Sequence, residues 1–128
     1  MAELPKDRGY TKEHEWALEQ DGRVLVGITE YAQDQLGDVV FVQLPEAGTE
    51  VQAGQPLGEV ESTKSVSDIY SPLSGKVLEK NTEVETDPEL INKDPYGAGW
   101  LVALESTGGT PDLMSAAEYQ AFIDADNG

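Results

Sequence analysis

Apolar and polar residues alternate with period two along most of this chain, and turn residues interrupt the alternation every 6 to 12 positions. That pattern predicts short strands with one buried face. Trp16 and Leu18 alternate with Glu15 and Glu19 ahead of Asp21-Gly22, a dipeptide suited to a two-residue hairpin turn. Val24, Val26 and Ile28 continue the alternation on the return strand. Thr29 has the character of a helix N-cap, Glu30 lies in the first turn, and Gly37 stops a short helix. Val39 to Leu44 is almost continuously apolar and predicts a strand covered on both faces. Leu57 to Glu61, Val66 to Tyr70, Val77-Leu78 and Trp100 to Leu104 predict further strands, separated by turns rich in Pro, Gly and Ser. Asp87-Pro88 marks a helix start with proline at its first position. Ser115-Ala116-Ala117-Glu118 is a capping box, and Tyr119, Phe122 and Ile123 follow at helical spacing. A terminal helix therefore packs back on a β core, with Tyr119 and Phe122 as core residues and fraying from Asp124 onwards.

A degenerate repeat adds a second level. Thr49-Glu50-Val51 recurs 33 residues later as Thr82-Glu83-Val84, and Leu57 maps to Leu90 at the same offset. Val60-Glu61-Ser62 finds its partner 44 residues later in Leu104-Glu105-Ser106, which implies an insertion around Asn92 to Gly99. Three matches in order predict two related β halves packed as a sandwich or flattened barrel. The expected organisation is one domain over residues 1–128, with a β core at about 10–106 and a helical segment at about 110–124. The segment joining the halves, Ser62 to Ser67, becomes an exposed turn, and Lys64 lies in its middle.

Composition narrows the chemistry. The chain has 128 residues, 8 Lys+Arg against 25 Asp+Glu, a formal charge of −17, one histidine and no cysteine. That charge argues against nucleic acid and against anionic lipid as partners. Absent cysteine excludes disulfides, a zinc ribbon and a thiol nucleophile. One histidine and scattered carboxylates supply no metal-ligand cluster. No run reaches the ~18 apolar residues that span a bilayer, and the opening residues lack the features of a secretory or transit peptide. The expected location is the cytoplasm, or a mitochondrial matrix for a processed organellar chain.

Lys64 is the only lysine between Glu13 and Gly75. As a solvated surface cation loosely paired with Glu61 or Asp68 it contributes under about 1 kcal/mol. A Schiff-base lysine needs an apolar pocket, and a turn of Ser and Thr does not provide one. A modified lysine competes with the solvated reading because Lys64 sits on the pseudo-symmetry point.

Lys12-Glu13-His14-Glu15-Trp16, Val26-Gly27-Ile28-Thr29, Tyr31-Ala32-Gln33, Leu36-Gly37-Asp38 and Leu44-Pro45 resemble the glycine cleavage system H protein family. Glu59-Val60-Glu61-Ser62-Thr63-Lys64 with Ser71-Pro72-Leu73-Ser74-Gly75 resembles its lipoyl-lysine region, and Leu90-Ile91-Asn92, Pro95-Tyr96 and Gly99-Trp100 its distal part. The resemblance covers about Gly9 to Ile123. Thr63 departs from it, since the family more often places valine before the lysine; the position stays β-branched. The resemblance implies a mainly β, lipoyl/biotinyl-carrier-like barrel-sandwich hybrid with short helices and a C-terminal helix. It implies a monomeric, non-catalytic carrier with lipoate amide-linked to Lys64, on an arm of about 14 Å. The implied partners are a pyridoxal-phosphate glycine decarboxylase, a tetrahydrofolate-dependent aminomethyltransferase, a flavin-containing dihydrolipoyl dehydrogenase that uses NAD, and a lipoate-attaching enzyme.

A cationic aminomethyl load benefits from shelter and from a carboxylate beside it. Glu15 is the first candidate, because its Trp16 neighbour suggests a partly apolar cleft, although alternation alone turns it outward opposite Trp16. Asp68, four residues after Lys64, Glu61, three before it, and His14 complete the set for arm sheltering or recognition by the attaching enzyme. Other readings are a lipoyl relay, a lipoyl domain serving 2-oxo acid dehydrogenases, and an acidic interaction module with Lys64 unmodified. A biotin carrier expects methionines beside the lysine, where this chain has Thr63 and Ser65.

Overall fold

The computed structural model describes residues 4–106 and 113–127. Strands β1 (Gly9–Tyr10), β2 (Glu15–Gln20) and β3 (Arg23–Ile28) lead into helix α1 (Glu30–Leu36). Strands β4 (Val39–Gln43), β5 (Glu50–Val51), β6 (Pro56–Ser62), β7 (Val66–Tyr70) and β8 (Gly75–Lys80) follow. Helices α2 (Thr82–Thr86) and α3 (Leu90–Lys93) precede β9 (Val102–Ser106), and α4 (Ala116–Asn127) closes the chain. One sheet has the order β1-β2-β3-β9-β8-β5 and the other β4-β6-β7. The two sheets make a mainly β barrel-sandwich hybrid with short helices and a C-terminal helix, as the resemblance implies.

Local chemistry explains many of the boundaries. Asp21 and Gly22 take φ 55° and 81°, the left-handed pair that closes a tight hairpin and pairs Gln20 with Arg23. The Thr29 hydroxyl accepts the Ala32 N–H to cap α1, and Gly37 ends that helix at φ 82°. Ser115 and Glu118 exchange hydrogen bonds of 3.0 and 3.1 Å at the start of α4, the reciprocal pattern of a capping box.

Two apolar layers result. Between the sheets lie Val26, Val42, Val60, Ile69, Val77 and Leu104, all buried. On the other face of β2 an aromatic cluster of Tyr10, Trp16, Tyr31 and Tyr119 is covered by α4, with Tyr10 and Tyr119 stacked at 5.0 Å. Strand β2 is thus covered on both sides, because α4 supplies a second lid.

Several expectations need correction. Strand β4 is not covered on both faces: Val39 and Val42 are buried, but Val40 and Phe41 are 56% and 51% exposed. A bulge between Val39 and Phe41 shifts the register, and β4 is an edge strand of its sheet. The repeat also holds only in part. Glu50–Val51 is a strand, while Thr82–Thr86 is a helix and Leu90 opens another. Asp87-Pro88 begins the turn before α3 rather than the helix itself. The terminal helix runs on to Asn127, past the point where fraying was expected. Among the described residues no helix is long and apolar enough to cross a membrane.

Candidate functional site

Lys64 occupies the tip of the β6–β7 hairpin and is exposed. The Ser62 hydroxyl organises this tip. Its Oγ accepts from the backbone N–H of Lys64 at 3.2 Å and of Ser65 at 3.1 Å, while Ser62 N–H donates to Ser65 O at 2.8 Å. A small hydroxyl residue thus satisfies turn donors without adding bulk beside the lysine. Thr63 N–H donates to Asp38 O at 3.1 Å and ties the tip to the loop after α1. There the lysine stem passes over Gly37, where an added Cβ would stand 3.3 Å from Lys64 Cε.

Asn92 fixes the loop under the lysine. Its Oδ1 accepts from Val39 N–H at 2.9 Å, and its Nδ2 donates to Gly37 O at 2.9 Å and to Gln33 Oε1 at 2.8 Å. One side chain on α3 therefore joins α1, β4 and the track of the lysine.

Beside the hairpin, between β2, α1 and the β6–β7 pair, opens a cleft of about 150 Å³. Val60, Ile69, Ile28 and Leu36 give it apolar walls, and Glu15, His14, Ser67 and Asp68 bring polar groups to it. Glu15 is 2% exposed, so the expectation from alternation is overturned: the face opposite Trp16 points between the sheets, not to solvent. Glu15 Oε1 accepts from the Thr11 hydroxyl at 2.7 Å and Oε2 from Tyr70 N–H at 3.3 Å. Burial pushes its carboxyl up from 4.5 to about 7, against the pull of those two hydrogen bonds, and Glu13 adds repulsion. Among the described residues no lysine or arginine pairs with it.

His14 precedes Glu15 at φ 71°, a left-handed turn position closed by its N–H on Thr11 O. Its Nδ1 lies 2.8 Å from Tyr119 Oη, which lies 2.8 Å from Thr29 Oγ1. Burial raises the Tyr119 hydroxyl, which stays a phenol and lends one proton to this chain of contacts. Tyr31, Tyr119 and Phe122 surround the imidazole, with ring centroids 4.8, 5.7 and 6.0 Å away. Helix α4 thereby packs behind His14, which lines the cleft.

Of the four acidic and histidine candidates, Glu15 and His14 meet in the cleft, and Asp68, on the outer face of β7, borders its rim. Glu61 does not: it sits on the outer side of β6, paired in register with Phe41 and Val66. Sequence reading assigns no role to Thr11 or Asn92. Thr11 reaches Glu15 only through the turn at His14, and Asn92 acts 53 residues from Val39, a distance at which no local pattern speaks.

A lysine raised on an exposed hairpin of a two-sheet body, beside a cleft holding a buried carboxylate, is the architecture of a carrier-type barrel-sandwich hybrid. A family model described as Glycine cleavage H-protein matches residues 8–126. The glycine cleavage system H protein of Rubrobacter xylanophilus is 56% identical over 119 residues, 93% of this chain and 94% of that protein. One from Thermus thermophilus is 50% identical over 126 residues, 97% of this chain and 98% of that protein. The crystal structure of a glycine cleavage system H protein from Mycobacterium marinum superposes with a TM-score of 0.90 at 49% identity, covering 94% of this chain and 99% of that one. This chain belongs to the glycine cleavage H-protein family, the lipoyl carriers of the glycine cleavage system.

Proposed function

We propose that this chain is the lipoylated shuttle of glycine cleavage, with Lys64 Nζ as the amide attachment point. On this reading it carries the aminomethyl group from glycine decarboxylase to aminomethyltransferase and is reoxidised by dihydrolipoyl dehydrogenase, without catalysing a step itself. It works in the cytoplasm beside those enzymes. The observation that carries the reading is the placement of Lys64: exposed at a hairpin tip, its stem over a residue without Cβ, next to the cleft of Glu15. These residues suit a long, jointed acyl chain, since nothing crowds the stem and the neighbouring cleft is apolar-walled with one buried acid.

Lipoate, when attached, supplies the dithiol that a chain with no cysteine lacks. The protein's own residues do the rest. Glu15, held by Thr11 and the β7 backbone, offers a carboxylate to a cationic amine entering the cleft. Asp68 adds negative charge at the cleft edge, His14 walls it, and Val60, Ile69 and Leu36 keep water out.

Intact-mass measurement after incubation with a lipoate-attaching enzyme tests the reading. The expected outcome is one lipoyl addition in the wild type and none in Lys64→Arg; an unchanged wild-type mass refutes the carrier assignment. Glycine–bicarbonate exchange with the decarboxylase then separates glycine cleavage from 2-oxo acid chemistry.

A further inference from the structure

Among the described residues four large hydrophobic side chains stand well exposed: Val40, Phe41, Val66 and Leu78. Three of the four flank the Lys64 hairpin, and only Leu78, on β8, lies elsewhere. Register makes the arrangement specific. Phe41 pairs with Glu61 and Glu61 with Val66, so one row across the three-stranded sheet reads Phe41–Glu61–Val66. The next row on the same side reads Gln43–Glu59–Asp68. Adjacent strands lie about 4.8 Å apart, which puts Phe41 and Val66 about 10 Å from each other with a carboxylate between them. Among the described residues no ion pair engages Glu59, Glu61 or Asp68. An aromatic ring, a carboxylate and a branched aliphatic group in a row form a slot for an arginine or lysine flanked by apolar groups on another protein. The ring takes the planar face of a guanidinium and the carboxylate takes its N–H groups.

We propose that the Phe41–Glu61–Val66 row, with Val40 at its edge, is the docking surface for the enzyme that acylates Lys64. The choice of partner rests on the proposed carrier role and on reach. Enzymes that act on the far end of a loaded arm work about 14 Å from the Lys64 backbone and have no need of the hairpin flank. The acylating enzyme must bring its active site to Nζ itself, and so it covers the residues beside the tip. Its chemistry also supplies the complementary charge. In amide formation the neutral Nζ bonds to the carbonyl carbon of an acyl donor activated as a phosphate anhydride. The phosphate leaves with the bonding electron pair, and Nζ releases its proton to solvent. A site that holds an anionic donor is cationic at its mouth, and the Glu59, Glu61 and Asp68 carboxylates face it.

Phe41→Thr and Val66→Thr, singly and together, test the surface, because threonine keeps β propensity while removing the apolar bulk. Leu78→Thr serves as the control. Apo protein and purified lipoate ligase are titrated with ATP and lipoate, and acylation is followed by intact mass. The double variant is expected to raise KM for the apo protein about tenfold with kcat within about twofold, the behaviour of lost docking contacts. Leu78→Thr is expected to match the wild type. The double variant, driven to full lipoylation by excess ligase, is expected to support glycine–bicarbonate exchange at the wild-type rate. An unchanged KM overturns the proposal, and so does a loaded double variant that fails in exchange, since the surface then serves the decarboxylase. If the double variant does not fold, the singles are read instead, each expected to raise KM about threefold. Failure of the carrier reading shows differently: wild-type protein then gains no lipoyl group at any ligase concentration.

Discussion

At the scale of one residue, Glu15 concentrates the conflict between stability and function. Folding raises its carboxyl from 4.5 to about 7, so the folded chain holds this proton more tightly than the unfolded chain does. The stability linked to that proton is fully present below pH 4.5 and is lost as pH rises through about 7. Two and a half pH units at about 1.4 kcal/mol each make the cost of the buried charge about 3 kcal/mol above pH 8. Glu15→Gln resembles the protonated acid at every pH. It should therefore exceed the wild type by about 2 to 3 kcal/mol in urea denaturation at pH 8 and match it near pH 4. The same variant should accept lipoate normally but lose an aminomethyl load to water sooner, and equal lifetimes would take Glu15 out of the mechanism. The motif places Glu15 beside a tryptophan and so points to a cleft. Alternation could not say that both faces of β2 are covered, because the cover comes from α4, a hundred residues away.

At the scale of elements, the Lys64 hairpin stands on a loop that Asn92 holds. Asn92→Ala removes the acceptor of Val39 N–H and the donor to Gly37 O and Gln33. A loss of about 1 to 3 kcal/mol is expected, together with faster amide exchange at Val39 and at Thr63, whose N–H is bonded to Asp38. Amides in the β8–β9 pair should keep their protection; uniform acceleration would mean global destabilisation instead. Asn92→Asp keeps the acceptor and should protect Val39 while exposing the loop. The elements legible in the sequence are those whose signals are local: the Asp21-Gly22 turn, the Thr29 cap and the Ser115–Glu118 box. The second half of the repeat misleads for a nonlocal reason. Asn81 accepts from Glu83 N–H and donates to Ala98 O and Trp100 O, so it caps a helix and pins the inserted segment where a strand was expected. The bulge in β4 is equally silent, since it depends on pairing with β6.

At the scale of the whole molecule, the formal charge of −17 is the feature every partner meets first. The proposed acylation of Lys64 would remove one of the eight cations and make the surface more acidic still. The ion pairs among described residues lie, apart from one buried arginine, on partly exposed side chains, so most of the acidic excess faces solvent. Uncompensated charge of one sign raises encounter rates with oppositely charged docking faces, and it does so through a field that salt screens. At 0.1 M ionic strength the screening length is about 10 Å, shorter than the arm plus the body behind it. On the proposed carrier role, the lipoylated protein should therefore react with the decarboxylase, and the aminomethylated protein with the aminomethyltransferase, with kcat/KM falling about tenfold between 0.05 and 0.5 M salt and kcat nearly constant. A fall in kcat of the same size would place the salt effect in the chemistry of the partner. Rates independent of salt would return the acidity to solubility alone, leaving recognition to the contacts around the hairpin.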